Sequence, residues 1–277
     1  MQIGFSKIGF PKQGALVLGV LEENKMLIKT REVDRESGGL IETAMKNSNF
    51  SGKSHQLLHV FTPKRRIVLY GLGKGDEIDE LWSEKAGGRI FSSLEKSGEK
   101  TATVLFEEHA RAKKNIDNRA AHFAYGALLR SYKFGKYKTK EKLQKDVTLK
   151  RLNVAVQEHS LAKKLFSELS AVAKGIFLAR DLVSEPPNIL YPESFARKLT
   201  SLRKLGLKVE VLSEKDMTKL GMGALLGVGQ GSSRESKLVI MRWNGGRREE
   251  KPIAFVGKGV CFDTGGISLK PASGMED

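Results

Sequence analysis

Residues 252–277 read PIAFVGKGVCFDTGGISLKPASGMED, and this stretch says more about fold and chemistry than any other. Pro252 to Val256 is a short apolar run, the pattern of an interior strand. Gly257, Gly259, Gly265 and Gly266 follow, so the backbone is free to turn sharply and to come close to a bound group. Asp263 stands beside the Gly265–Gly266 pair, where a short carboxylate is suited to ligate a hard or borderline cation. Lys258 and Lys270 lie on either side. A nearby dication disfavours the protonated amine, so one lysine is able to serve as a neutral ligand. A lysine that keeps its charge would stabilise a developing oxyanion. On these residues alone, a surface turn with two solvated lysines and a capping aspartate fits equally well, because isolated glycine-rich patterns are weak signals.

The whole string from Val256 to Asp277 resembles the signature of the leucyl aminopeptidases, the two-metal M17 family of cytosolic exopeptidases. Working outward, MGALLGVGQGSSRESKLVIMRW (Met222 to Trp243) resembles the family's segment before the metal site. DLVSEPPNILYPESFA (Asp181 to Ala196) resembles the start of its catalytic domain, and LLRSYKFGKYKTK (Leu128 to Lys140) the end of its N-terminal domain. The resemblance implies that Lys258 ligates one metal, that Asp263 bridges two, and that Lys270 polarises the scissile carbonyl and steadies the gem-diolate. It implies two divalent metal ions, Mn²⁺ or Zn²⁺, with bicarbonate as a general base, a peptide substrate with leucine preferred at its N-terminus, a homo-hexamer and a cytoplasmic location. Cys261 stands where many relatives carry threonine and Thr264 where many carry serine, both small changes.

The family pattern continues beyond the GMED motif with a further aspartate, an aspartate–glutamate pair and an arginine, none of which is among these 277 residues. Asp277 belongs to the GMED string and is not assigned as a ligand. Two cations roughly 3.5–4 Å apart need several negative ligands to offset their repulsion. The signature supplies one carboxylate and one amine, so the expectation is a chain truncated within the catalytic domain and inactive by itself.

Composition bounds the alternatives. The length of 277 residues suits two domains of ordinary size, and 40% hydrophobic with 29% charged residues is the balance of a soluble globular protein. No apolar run approaches the roughly 18 residues of a membrane span, and the first 20 residues lack the features of a secretion signal. A single cysteine excludes an internal disulfide and fits a reducing compartment; Cys261, between Val260 and Phe262, reads as a packing residue. The net charge of +16 would favour polyanions. Its clusters lie at Lys64–Arg66, Arg111–Lys114, Lys133–Lys145 and Arg247–Arg248. Composition alone does not select nucleic-acid binding, and these read as solvated faces. The competing function is a non-catalytic module that binds DNA or protein through its basic N-terminal domain.

Periodicity predicts strands at Gln2–Phe5, Ala15–Leu21, Arg66–Tyr70, Ala102–Phe106 and Leu149–Val156. It predicts helices at about Arg35–Asn47, Glu80–Ser97 and Asn118–Lys133, the last capped by Asn118 with Ala121, Tyr125, Leu128 and Leu129 on its inner face. A long helix from about Ser160 should end near Ser184, before Pro186–Pro187. A further helix should run through Phe195 and Leu199 to Leu205 and stop at Gly206. Lys208–Leu212, Ala224–Val228, Lys237–Trp243 and Pro252–Val256 then read as strands of a growing sheet. Alternating strands and helices make an α/β protein. The expected organisation is a macro-domain-like N-terminal module over residues 1–155, followed by the first part of an α/β metallo-aminopeptidase catalytic domain over 156–277. That part should leave apolar surface uncovered.

The remaining motifs are weaker. Gly71–Gly75 (GLGKG) lacks Walker spacing, and Gly227–Gly231 (GVGQG) has Ser232 where a third glycine would stand, so both read as turns. His55 and His59 are four apart, but Gln56 stands where a zinc helix needs glutamate, so they read as ordinary polar residues.

Overall fold

In the computed structural model, residues 1–108, 115–139, 148–247 and 249–261 are described. The chain divides into two compact units, Met1–Leu178 and Ala179–Asp277.

The first unit begins with β1 (Gln2–Ser6), β2 (Ala15–Leu21) and β3 (Lys25–Met26), then α1 (Ile28–Glu36) and α2 (Leu40–Lys46). There follow β4 (Leu57–Phe61), β5 (Arg66–Gly71), α3 (Glu80–Leu94), β6 (Thr101–Leu105), α4 (Ile116–Arg130) and β7 (Arg151–Ala155). The long helix α5 (His159–Val183) starts in this unit. The sheet runs β1-β7-β6-β2-β5-β4, with β3 paired to β2. The first five strands of that order are mutually parallel, β4 is antiparallel to β5, and β3 is antiparallel to β2.

The sequence ALVLGVL explains the central place of β2. Six of its seven residues are buried, as a strand covered on both faces requires. Side chains alternate. Ala15 and Val17 face a cluster built with Ile90 and Phe91 of α3 and Phe123 of α4, while Leu16, Leu18 and Val20 face Val33 of α1 and Ile41 and Met45 of α2. The register Leu16↔Ile67, Val17↔Val68, Leu18↔Leu69 continues both stripes into β5. The first turns of α5 join the α3–α4 face through Ala162 and through Phe166, whose ring lies 5.4 Å from that of Phe5. Helices α3 and α4 cross at glycines: a Cβ on Gly87 would overlap the Phe123 carbonyl, and one on Gly126 the Glu84 backbone.

In the second unit, α6 (Pro192–Thr200) follows the end of α5 and continues as a 3₁₀ turn, Ser201–Leu205, closed by Gly206 at φ +93°. Then come β8 (Lys208–Leu212), α7 (Glu214–Lys219), α8 (Gly223–Gly229) and β9 (Leu238–Arg242). β8 and β9 form an antiparallel pair with Leu212↔Leu238 and Lys208↔Arg242 in register. No helix among the described residues is long and apolar enough to cross a membrane.

Several expectations are corrected. The helix expected at Arg35–Asn47 is broken at Ser37–Gly39: Arg35 and Glu36 end α1, whose earlier residues from Ile28 were not expected to be helical, and Leu40–Lys46 is α2. Gly38 and Gly39 adopt φ +69° and +78°, and Asp34 Oδ1 accepts from the backbone N–H groups of Ile41 (2.9 Å) and Glu42 (3.1 Å) to cap the second. The helix expected from Asn118 begins at Ile116 after Asn115, which takes φ +80°; Asn118 instead donates from Nδ2 to Glu80 Oε1 at 2.9 Å. On its inner face Ala121 and Tyr125 are buried, whereas Leu128 and Leu129 are half-buried. Ala224–Val228 is helical, within α8, and with it the first three residues of the supposed Gly227–Gly231 turn. Short apolar runs of this length fit either structure, and here local hydrogen bonding prevails. Pro252–Val256 is unpaired among the described residues, with Ile253, Phe255 and Val256 83%, 95% and 99% exposed. An extended run becomes a strand only beside a neighbour that accepts its hydrogen bonds.

Candidate functional site

The segments that carry the family signature lie in the second unit. After Val183, the chain turns through Pro186, whose carbonyl accepts from both Ile189 N (2.9 Å) and Leu190 N (2.9 Å). Ser194 then fixes the start of α6, accepting from Tyr191 N at 3.0 Å and donating to Ile189 O at 2.7 Å. Pro192 at the first helical turn fits, because its missing N–H would have no partner there. Lys198 reaches back to Glu185, Nζ to Oε1 at 3.1 Å, and the Arg234 guanidinium lies 3.6 Å from the Tyr191 ring centroid. Across the strand pair, Glu214 Oε1 accepts from Ser236 N at 2.7 Å.

Lys258 lies on the extended stretch beyond β9, exposed to solvent. Its carbonyl accepts from Val260 N at 3.1 Å, a tight local turn, and Gly259 approaches Phe195 of α6 so closely that a Cβ would crowd the ring. The Cys261 thiol, partly buried, lies 3.7 Å from Gly259 O; burial raises its pKa and so holds it protonated, in keeping with a packing role. Asp263 and Lys270 lie outside the described residues, as do Thr264, the paired glycines Gly265–Gly266 and Asp277. The three side chains singled out from the sequence are therefore not seen together. Among the described residues no group of three His, Cys, Asp or Glu side chains is placed to hold a metal ion. The donor chemistry of Lys258 and Asp263, one amine and one carboxylate, nonetheless suits a borderline dication.

Among the described residues, no histidine belongs to a group placed to hold a metal ion. His55 sits before β4 at φ +64°, its Nδ1 against the Tyr70 hydroxyl and its ring stacked on Trp82, whereas His59 is on β4. The Gly71–Gly75 stretch is the expected turn, with Gly73 and Gly75 at positive φ. Sequence reading missed two charged side chains, Glu107 and Arg119, that line a cavity in the first unit. The one available signal was an arginine flanked on α4 by Ile116, Ala120, Ala121 and Phe123.

Comparison with known proteins bears on both units. Residues 17–141 match the family model described as "Cytosol aminopeptidase family, N-terminal domain", and residues 177–277 match "Cytosol aminopeptidase family, catalytic domain". The "Probable cytosol aminopeptidase" of Nitrobacter winogradskyi is 43% identical over 282 residues, covering 100% of this chain and 56% of that protein. Its namesake from Rhizobium etli is 45% identical, covering 98% of this chain and 56% of that protein. The chain thus spans about half the length of the curated relatives it matches. Among solved structures, a mutant of tomato leucine aminopeptidase aligns with a TM-score of 0.74 at 23% identity, over 86% of this chain and 50% of that one. The bottromycin maturation enzyme BotP in complex with Mn aligns at 0.63 and 20% identity, over 82% of this chain and 44% of that one. These two establish likeness of fold.

Proposed function

Because the chain belongs to the cytosol aminopeptidase family, we propose that its second half carries part of a two-metal centre that releases N-terminal residues, leucine among them, from peptides. The observation that carries this reading is the string Val256–Asp277, which falls within the segment matching the catalytic-domain model. Lys258 and Asp263 would hold the metal ions, Mn²⁺ or Zn²⁺. When bound, such a pair supplies Lewis-acid polarisation and an activated water. Lys270, kept protonated, would face the oxygen on which negative charge develops. Bicarbonate as base, a hexameric assembly and a cytoplasmic setting belong to the same proposal. So does the assignment of residues 1–155 to the N-terminal module and 156–277 to the catalytic half.

For this 277-residue polypeptide the proposal has a specific consequence. The two donors named here, one carboxylate and one amine, should by themselves hold a dication weakly. Calorimetric titration with Mn²⁺ should give weak binding that falls at least about tenfold in Asp263→Asn, the loss of one charged ligand. Binding indifferent to Asp263→Asn would remove the metal assignment.

A further inference from the structure

The first unit contains a cavity that the metal reading does not use. β2 and β6 are adjacent and parallel, yet the chain leaves them in opposite directions. From β2 it passes to α1 on one face, and from β6 to α4 on the other. Connections that part in this way open a crevice at the carboxyl ends of the strands, the place where open α/β sheets bind ligands. The cavity lies there, against Val17–Gly19 of β2 and Val104–Glu107 at the end of β6. Its volume is about 60 Å³, reaching about 540 Å³ when the mouth open to solvent is counted. The smaller figure is well under the roughly 300 Å³ at which drug-sized sites begin, so an occupant must be small and extend into the open mouth.

The walls are apolar, formed by Leu27, Leu72, Ile78, Trp82, Phe106 and Phe123. Trp82 is held in place by its Nε1–H donating to Ser54 Oγ at 2.8 Å and by stacking on His55 at 4.8 Å between centroids. Two charged side chains of opposite sign interrupt this lining. Arg119 of α4 is only 5% exposed, makes no ion pair among the described residues, and has a buried Nε with no hydrogen-bond partner there. Glu107 uses one oxygen, Oε2, to accept from Lys29 N at 2.7 Å, and its other oxygen, Oε1, is buried without a partner. Burial works against both charges, raising the pKa of the Glu107 carboxyl and lowering that of the Arg119 guanidinium. Buried polar atoms are almost always paired, and a charged one left unpaired is costly. Here the two do not pair with each other, although they line the same small space.

We propose that this crevice binds a free α-amino acid with an apolar side chain. The carboxylate would meet the Arg119 fork, the ammonium would meet Glu107 Oε1, and the side chain would lie against the Trp82 and Phe106 walls. A plain anion would satisfy Arg119 and leave Glu107 unpaired beside a like charge; a plain cation would do the reverse. A zwitterion answers both charges at once, and the wall chemistry selects an apolar side chain. The inference stands on the cavity alone and does not depend on the peptide-hydrolysis reading.

The test uses the 277-residue chain carrying Trp243→Phe, which leaves Trp82 as the only tryptophan. It is titrated with L-leucine in EDTA, so that any metal-dependent site is silent, with calorimetry alongside fluorescence. Leucine should change the Trp82 emission saturably. Leucinamide, which lacks the carboxylate, and 4-methylpentanoate, which lacks the ammonium, should each bind at least about tenfold more weakly, as loss of a charged hydrogen bond implies. Arg119→Gln and Glu107→Gln should each weaken leucine binding to a similar degree, while Asp263→Asn should leave it unchanged. If Arg119→Gln fails to fold, the three-ligand series on the parent chain still decides. The proposal is overturned by no saturable signal in either measurement up to about 10 mM leucine. It is equally overturned if 4-methylpentanoate binds as tightly as leucine, which would mark a simple anion site, or if Asp263→Asn abolishes the response.

Discussion

The two units make opposite use of similar sequence. In the first, Ala15–Leu21 is an apolar run with strands on both sides and helices on both faces, and its residues are buried. In the second, Pro252–Val256 is also an apolar run, yet among the described residues it has no neighbour and stays exposed. A strand is a property of a pair, because the backbone N–H and C=O groups of an isolated run find only water. The difference also bears on behaviour. The first unit holds two continuous buried clusters. The second presents Ile253, Phe255, Val256 and Trp243 to solvent, a surface that invites association.

The largest expected consequence is in hydrogen exchange. Amides of β2 should exchange at least about a thousandfold more slowly than those of Ile253–Val256, since core strands open only with global unfolding. Comparable protection in the two segments would abolish the contrast. Next in size is the helix crossing of the first unit. Gly126→Leu would drive a side chain into the Glu84 backbone and should cost about 3 kcal/mol or more. Chemical denaturation should show an early transition for residues of the first unit, with exchange rates over Lys208–Arg242 unchanged. A smaller effect sharpens the picture within the first unit. Asp34→Ala removes the acceptor for Ile41 N and Glu42 N and should cost about 1 kcal/mol, with exchange accelerated first in α2. If β4 and β5 loosen equally, Asp34 is more than a cap.

These particulars show how far the sequence could be read. The bounds of β2 were legible to the residue because both neighbours and both faces are apolar, so the run ends where burial ends. α5 and the stop at Gly206 were legible from helical spacing, a Pro–Pro pair and a glycine, signals that act locally. The break at Ser37–Gly39 was also written in the sequence, in two consecutive glycines that take positive φ. β4 and α7 were missed: the pairing of β4 with β5 is a tertiary fact, and α7 is a six-residue helix set by the Ser213–Asp216 capping box. Ala224–Val228 and Pro252–Val256 misled for one reason. A short apolar stretch records that burial is wanted and leaves open which partner supplies it.

The candidate metal ligands show the same limit from the side of chemistry. By itself, the sequence determined the family and offered the candidate donors, an amine at Lys258 and a carboxylate at Asp263, because ligand type is a property of the side chain. It determined the alternation that makes the first unit an α/β layer. Tertiary structure alone decided that the loops after β2 and β6 part to opposite faces, and that Glu107 and Arg119, twelve positions apart in the chain, line one apolar cavity without pairing. Periodicity is local and survives in one dimension; the environment of a charge depends on everything packed around it, and no single stretch of chain contains that.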